Sequence, residues 1–472
     1  MPRPQFRPAG NETEGTITMK KSIAFASALA VCAFAGAALA KVPDAQVNRL
    51  GADLTPVGAE KAGNGGAIPA WTGGLTSVPA SIQGQYSPDK LPLNPYPGDQ
   101  IKFTIDAGNM AQYSDNLTEG SKAMMSTYPS YKMNVYDTRR SCAFPEFVYE
   151  ANKHNAQVAI LVGGGNGVGE GIMGFPFPIP NNALEIIWNH TLRYRAFKLT
   201  REFTAAPVTR GGDYELITVQ DEAILQWSDP SKERAEDIDN ISIYYISNTI
   251  APARAAGNVI LVHETLNRAL EERRAWQYSP GTRRVRRAPN IAYDNPGTNS
   301  DGLSTSDAFD GYNGAPDRYN WTVIGKQEKY VAANNYDAHL ATYDEFLKPL
   351  HVNQDLVRYE LHRVWSIEAN LKPGNRHVYS RRVKHLDEDS WTMTGAELYD
   401  GRGELWRVQE LLGRQSYSVP LCNKGAEIVY DLQAGRYLAL AMQNGGAPIN
   451  YNADELDPDR YTPASIRQLG VR

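Results

Sequence analysis

The sequence predicts a mainly β protein built on a large antiparallel sheet, with covering α-helices and an extended Gly/Pro-rich N-terminal arm. Three observations predict it. Apolar and polar residues alternate with period two from the end of the segment NNALEIIWNHTLRYRAF to about Leu412, the pattern of strands with one buried and one wet face. The 26 tyrosines and 8 tryptophans tilt the composition towards sheet. Helical periodicity is confined to short segments, and the stretch 41–99 is too rich in Gly, Pro and Ala to hold a long helix or an inner strand. Three parts follow: a leader over 1–40, an N-terminal arm and lobe over 41–180, and a helix with an antiparallel meander over 181–472. The last two read as one continuous globular unit.

The leader has the build of a secretory signal. From Met19, MKKSIAFASALAVCAFAGAALA carries two lysines, an apolar run from Ile23 to Leu39 and small residues at Ala38 and Ala40, which places cleavage after Ala40. The run is short and alanine-rich for a membrane span. Val31 stands where a lipobox wants a small residue before Cys32. The polar stretch ahead of Met19, with Glu12 and Glu14, makes a poor signal n-region, so Met19 reads as the true start. Export places the mature chain in an oxidising compartment, the periplasm, where Cys142 and Cys422 either pair or lie as separate buried thiols.

In the arm, GNGGAIPAWTGGLTSVP runs over the surface and anchors through Trp71. Residues 106–125 allow a helix with Met110, Tyr113, Leu117 and Met124 on one face, weakened by Gly108 and Gly120. YKMNVYDTRRSCAFPEFVYEA reads as two short strands and AQVAILVGG as a buried one. GEGIMG spells GxGxxG at Gly169, Gly171 and Gly174, but the FPFPIP behind it cannot open a helix, so a flexible turn is the reading. NNALEIIWNHTLRYRAF is an amphipathic helix with Asn181 or Asn182 as N-cap.

AWQYSPGTRRVRRAP is a hairpin about Ser279-Pro280-Gly281. Its second arm puts Arg284 and Arg286 on one face and Arg283 and Arg287 on the other, so at least one face is not a dry core. The loop-rich segment 294–317 carries Asp301, Asp307 and Asp310; their spacing does not fit an EF-hand, and solvated carboxylates account for them. In VRYELHRVWSIEANL, Val357, Tyr359, Leu361, Trp365, Ile367, Ala369 and Leu371 point one way, and Arg358, Glu360, His362, Glu368 and Asn370 the other, wet, way. HVYSRRVKHL, SWTMTGAELYD and GELWRVQELL follow as strands, the last two joined by an Asp400-Gly401 turn.

A net charge of -5 and the exported compartment exclude nucleic acid as a partner. A hydrolase would have to draw on His263, Glu264, His362, Glu368, His377, His385, Asp387 and Asp389, yet no GxSxG, HExxH or CxxC motif is present, and no cofactor, metal or catalytic residue is assigned.

LGADLTPVGAEKAGNGGAIPAWTGGL, GFPFPIP with IIWNHTLRYR, AWQYSPGTRRVRRAP, and RYELHRVWSIEANLKPGNRHVYSRRVKHLDEDSW together resemble the hallmark blocks of the domain of unknown function 1329 family, exported proteins of Gram-negative bacteria. The resemblance implies a fold related to the lipoprotein carriers LolA and LolB, a curved antiparallel half-barrel covered by helices. It also implies a role in moving hydrophobic substances, beside an outer-membrane protein or an RND-type exporter. A curved sheet around helices leaves a cavity for a lipid-like or hydrophobic ligand, whose expected lining is Trp188 and Leu192 from the helix with Tyr359, Trp365, Ile367, Trp391 and Trp406 from strands. Arg283, Arg284, Arg286 and Arg287 suit its rim or a partner surface, or pair with Glu271, Glu272, Glu360 and Glu368. A non-catalytic adaptor in an envelope export complex is the competing function.

Overall fold

Period-two alternation dominates the chain, and strands dominate the fold. The computed structural model describes residues 42–288 and 293–470; the leader, with its signal segment and Cys32, lies outside the described residues. In chain order the strands are β1 (Phe103–Ile105), β2 (Met133–Val135), β3 (Ile160–Val162), β4 (Gly167–Gly169), β5 (Lys198–Val208), β6 (Ile217–Leu225), β7 (Ile241–Ala251), β8 (Val259–Thr265) and β9 (Arg274–Ser279). They continue with β10 (Arg284–Arg287), β11 (Tyr319–Ala332), β12 (Arg358–Leu371), β13 (Arg381–Asp387), β14 (Met393–Tyr399), β15 (Leu405–Ser416), β16 (Leu421–Asp431) and β17 (Arg436–Met442).

All but β3 and β4 join one sheet in the order β1-β2-β12-β13-β14-β15-β16-β17-β5-β6-β7-β8-β9-β10, with β11 on the other edge of β12. Every pairing in it is antiparallel except β2 with β12. The run β12 to β17 is a meander of hairpins, and β17 then takes β5 as its neighbour, so the C-terminal half of the chain closes onto the middle. The fold is mainly β, with few helices.

The face expected to be wet on β12 is buried over its first half, while Glu368 is half-buried and Asn370 exposed as expected. Arg358, Glu360 and His362 are each no more than 9% exposed, because the arm packs over them and supplies ion partners such as Asp99 to Arg358. A second departure concerns PEFVYEA, which is a helix (Glu146–Val158) rather than a strand. Val148, Asn152, Asn155 and Ala156 are its buried residues, a helical spacing that outweighs the strand preference of Phe-Val-Tyr. The expected helix over 106–125 is broken into a 3-10 turn (Met110–Asn116) and a short helix (Glu119–Thr127) capped by Thr118.

The glycine-rich segment is not a free turn. It forms the β3–β4 ribbon and then a buried strap through Phe175 and Phe177, whose backbone is hydrogen-bonded by three asparagines in place of a sheet. Asn152 Oδ1 accepts from Phe175 N, Asn155 Nδ2 donates to Met173 O, and Asn189 both accepts from Phe177 N and donates to its carbonyl. Gly174 sits at φ +60°, where a Cβ would stand 2.2 Å from Asn152 Oδ1.

The helix Ala183–Leu192 starts at Asn182, whose side chain accepts from Glu185 N. It packs with Ile186, Ile187 and Trp188 into an apolar cluster beneath β12 to β15. The β5–β8 region is layered differently. One face carries Ile224, Ile246, Val259 and Leu261 and is covered by the C-terminal residues Ala453, Leu456, Tyr461 and Ile466. The other is covered by the loop 294–317, where the sequence led us to expect helices.

Candidate ligand cavity

Along β5, Leu199, Arg201 and Phe203 share a face; along β6, Val219, Asp221, Ala223 and Leu225; along β7, Ile243, Tyr245 and Ser247. These residues, with Ile260 and Val262 of β8 and Leu438 and Leu440 of β17, bound a cavity of about 210 Å³ that loop residues 297–310 cover from above. Most of its lining area is apolar. Period two builds the wall: each strand gives every second side chain, and register brings them into rows, Arg201 opposite Asp221 and Phe203 opposite Val219.

Charge enters the wall in matched groups. Arg201 grips Asp221 by two nitrogens at 2.9 and 2.7 Å, and Tyr245 Oη donates to the same carboxylate at 3.0 Å. Glu264 lies 2.7 Å from Arg273 and 3.5 Å from Arg268. The loop is latched by Asp310, which accepts from Arg193 at 2.8 Å on both oxygens and from Arg195 at 3.1 Å, and stands 3.6 Å from Lys424. Burial opposes ionisation of Asp310, yet Arg193, Lys424 and Arg195 hold its carboxyl far below the usual carboxylate range. Its backbone is fixed as well: His190 Nε2 donates to its carbonyl at 2.7 Å, and its N–H donates to Glu427 at 2.9 Å. Burial, then the charge of Arg193, push His190 down to about 3, so it serves this latch as a neutral ring.

Two of the three loop aspartates are not the solvated carboxylates the sequence suggested. Asp307 and Asp310 are buried, Asp307 in an ion pair with Arg382 at 2.6 Å, whereas Asp301 is exposed as expected and pairs with Arg436.

None of the seven residues expected to line a cavity lines this one. Trp188, Leu192, Ile367 and Trp391 belong to one apolar cluster, with Trp365 and Trp406 packed against it. The indole N–H of Trp188 donates to Gly165 O, that of Trp391 to Val57 O and that of Trp406 to Asp431, which locks each ring in place. Trp365 stacks on Trp391 at 6.3 Å between centroids. Tyr359 lies in a separate cluster, its hydroxyl donating to Glu410 at 2.8 Å. These side chains fill the core, and the vacant space lies one to five strands beyond β16, on β17 and β5 to β8.

Arg283, Arg284, Arg286 and Arg287 are exposed on the β10 edge. Three of the four carboxylates suggested for them are taken elsewhere: Glu271 faces Arg274, Glu360 faces Arg358 and His362, and Glu368 faces Arg381. Cys142 and Cys422 form a disulfide that ties the arm to β16.

One grouping imitates a catalytic triad. Ser366 Oγ is 2.8 Å from His385 Nδ1, and His385 Nε2 is 3.0 Å from Glu397. Ser366 is wholly buried and shares its hydroxyl with Gln327, and the space beside His385 is about 30 Å³. No carbonyl substrate could approach that oxygen, and the three residues cross-link β12, β13 and β14. The other histidines the sequence offered to a hydrolase are engaged as well: His362 lies between Glu360 and Asp387, His377 on Asp307, and His263 against Tyr461 O; Asp389 is held by Arg140. Among the described residues no group of three His, Cys, Asp or Glu could hold a metal ion, and no helix is long and apolar enough to cross a membrane.

The residues that do build the cavity escaped sequence reasoning. Their signal was a single charge repeated at matching places in adjacent apolar rows, Leu199-Arg201-Phe203 and Val219-Asp221-Ala223, which only the register reveals as a pair.

A long antiparallel sheet, a latched loop and a mostly apolar space with charged groups in its wall define the class, a mainly β scaffold with a covered cavity. The chain belongs to the family described as protein of unknown function DUF1329, whose model matches residues 104–467. It is 47% identical over 455 residues to the uncharacterized protein PA3922 of Pseudomonas aeruginosa, covering 94% of this chain and 97% of that one. Among solved structures it is similar to a putative outer membrane lipoprotein-sorting protein domain from Vibrio parahaemolyticus, at 12% identity and a TM-score of 0.42, over 60% of this chain and 98% of that one. It is also similar to a DUF1329 family protein from Desulfovibrio piger, at 14% identity and a TM-score of 0.39, over 58% and 92% of the two chains.

Proposed function

We propose that this protein is an exported, periplasmic, non-catalytic carrier that holds a lipid-like or hydrophobic ligand between the β5–β8 face and the loop 294–317. The observation that carries the reading is the cavity of about 210 Å³ with a mostly apolar lining. An apolar space of roughly 150 Å³ suffices to bind a benzene ring, so this one has room for a single chain. About six buried methylenes, at about 0.8 kcal/mol each, contribute on the order of 5 kcal/mol, enough for sub-millimolar binding before ordering costs are subtracted. Exchange with an outer-membrane protein or an RND-type exporter would give such a carrier its route, and the exposed arginines of β10 offer the surface for it.

The test is native mass spectrometry with lipid extraction of the protein purified from its own periplasm, alongside the variant Ala223→Phe, which puts a ring into the cavity. Bound hydrophobic material in the natural protein and none in the variant is the expected result. A protein that leaves the cell empty, and binds no hydrophobic probe in solution, would instead favour the adaptor reading.

A further inference from the structure

The charges beside the cavity do not cancel. At the end nearest the helix Ala183–Leu192, the cations Arg193, Arg195 and Lys424 share two carboxylates, Asp310 and Glu427. Three cations thus face two carboxylates there, and the Arg201–Asp221 pair adds nothing to the difference. His190, a neutral ring, adds no charge of either sign.

Of the three cations at Asp310, Arg195 has the least counter-charge. Asp310 spends both oxygens on Arg193 at 2.8 Å and reaches Arg195 only through one nitrogen at 3.1 Å. A second Arg195 nitrogen donates to the neutral Thr191 carbonyl at 3.3 Å, and its buried Nε donates to nothing among the described residues. Burial, with the neighbouring Arg193, pushes its guanidinium down to about 10, as expected where positive charge lacks a full complement of anions. A guanidinium held in this way presents donors in the plane that suits an oxyanion.

The same face extends outward. Ile260 of the wall is in register with Gln277 of β9, which is in register with Arg286 of β10, and Arg284 follows two residues before it on the same side. Cations therefore stand at both the covered end and the exposed edge of a surface whose cavity lining is mostly apolar.

From these charges and from the apolar rows between them, we infer that the ligand is an anionic amphiphile with one chain, its oxyanion head on Arg195 and its chain along Leu199, Phe203, Ala223 and Ile243. This rests on the cavity being the ligand site. A carboxylate and a phosphate monoester share the required chemistry.

Isothermal titration with octanoate, octyl phosphate and octan-1-ol tests it. Both anions should bind at least tenfold more tightly than the alcohol, and the stronger of the two names the headgroup. Arg195→Gln should abolish that preference, so that all three probes bind this variant within about twofold of one another, and Arg195→Lys should restore most of it; urea melts of each variant check folding. Equal binding of acid and alcohol, with all three probes lost in Ala223→Phe, would overturn the anionic head and leave the cavity reading standing. Failure of all three probes to bind the natural protein would overturn both.

Discussion

Asp310→Asn isolates the latch that holds the loop 294–317 over the cavity. The substitution keeps the shape of the side chain and suits the backbone, since residue 310 sits at φ 59°, a left-handed conformation that Asn tolerates better than most residues. The backbone bonds to His190 and Glu427 are untouched, so the perturbation is confined to charge. What disappears is one buried carboxylate that three cations approach within 3.6 Å: Arg193, Arg195 and Lys424. Removing one partner from a buried ion group leaves the others uncompensated and costs about 3–5 kcal/mol. The folded-state value of Asp310 lies below its unfolded value, so its stabilisation is fully present above about pH 4 and is lost as pH falls through the depressed value. Urea denaturation at pH 7 should therefore show a loss of about 3–5 kcal/mol, and the variant should lack part of the acid destabilisation of the natural chain. Limited proteolysis should cut within 294–317 at lower protease concentration. A loss under about 1 kcal/mol, with an unchanged acid limb, would refute the latch.

Three further outcomes follow from the same geometry. Reducing the Cys142–Cys422 bond, which spans 280 residues of sequence, or replacing both cysteines by serine, should lower the urea midpoint by the equivalent of up to about 5 kcal/mol, the chain-entropy ceiling for so long a loop; an unchanged midpoint would show that the tie constrains nothing. Burial raises Glu410 to about 7 against its hydrogen bonds from Tyr359 and Tyr131, so the stability it leaves intact below about pH 4.5 is lost as pH rises through 7. Glu410→Gln should match the natural chain at pH 4 and exceed it by on the order of 2 kcal/mol at pH 8, as pH-dependent melts would read. His362 is raised to about 10 by Asp387 and Glu360 despite its burial, which makes its contribution full below about pH 6.5 and lost as pH rises through 10. His362→Gln should cost about 3–5 kcal/mol at pH 7 and flatten the alkaline limb of the stability curve.

The strands from β12 to β15 were legible because their alternation survives in the sequence, and so was the hairpin about Pro280, whose turn chemistry is local. The helix Ala183–Leu192 was legible from its cap and its apolar spacing. What the sequence concealed was which of two faces is wet. Arg358, Glu360 and His362 look like a solvated edge until the arm is placed over them and Asp99 reaches Arg358. Large aromatics drew attention as cavity lining, but Trp188 and Trp391 have backbone carbonyls waiting for their N–H groups and fill space instead of bounding it. Empty volume is bounded here by smaller neighbours such as Ala223 and Ser247, whose significance depends on what faces them across the sheet. Asp310 was placed with the solvated carboxylates because its partners lie 115 to 117 residues away in sequence.

The packing of the C-terminal segment 453–466 against the reverse of β6 to β8 settles where the cavity can change size. Ala453, Leu456, Tyr461 and Ile466 are already in contact from behind and have no exposed surface to yield, each being at most 3% accessible. The sheet is thereby backed like a wall with no give, and a bulkier guest can be admitted only by displacement of residues 297–310 in front. If the cavity holds a ligand, divergence in its size among homologous chains should accordingly be written in that short segment, while the backing residues keep their volume.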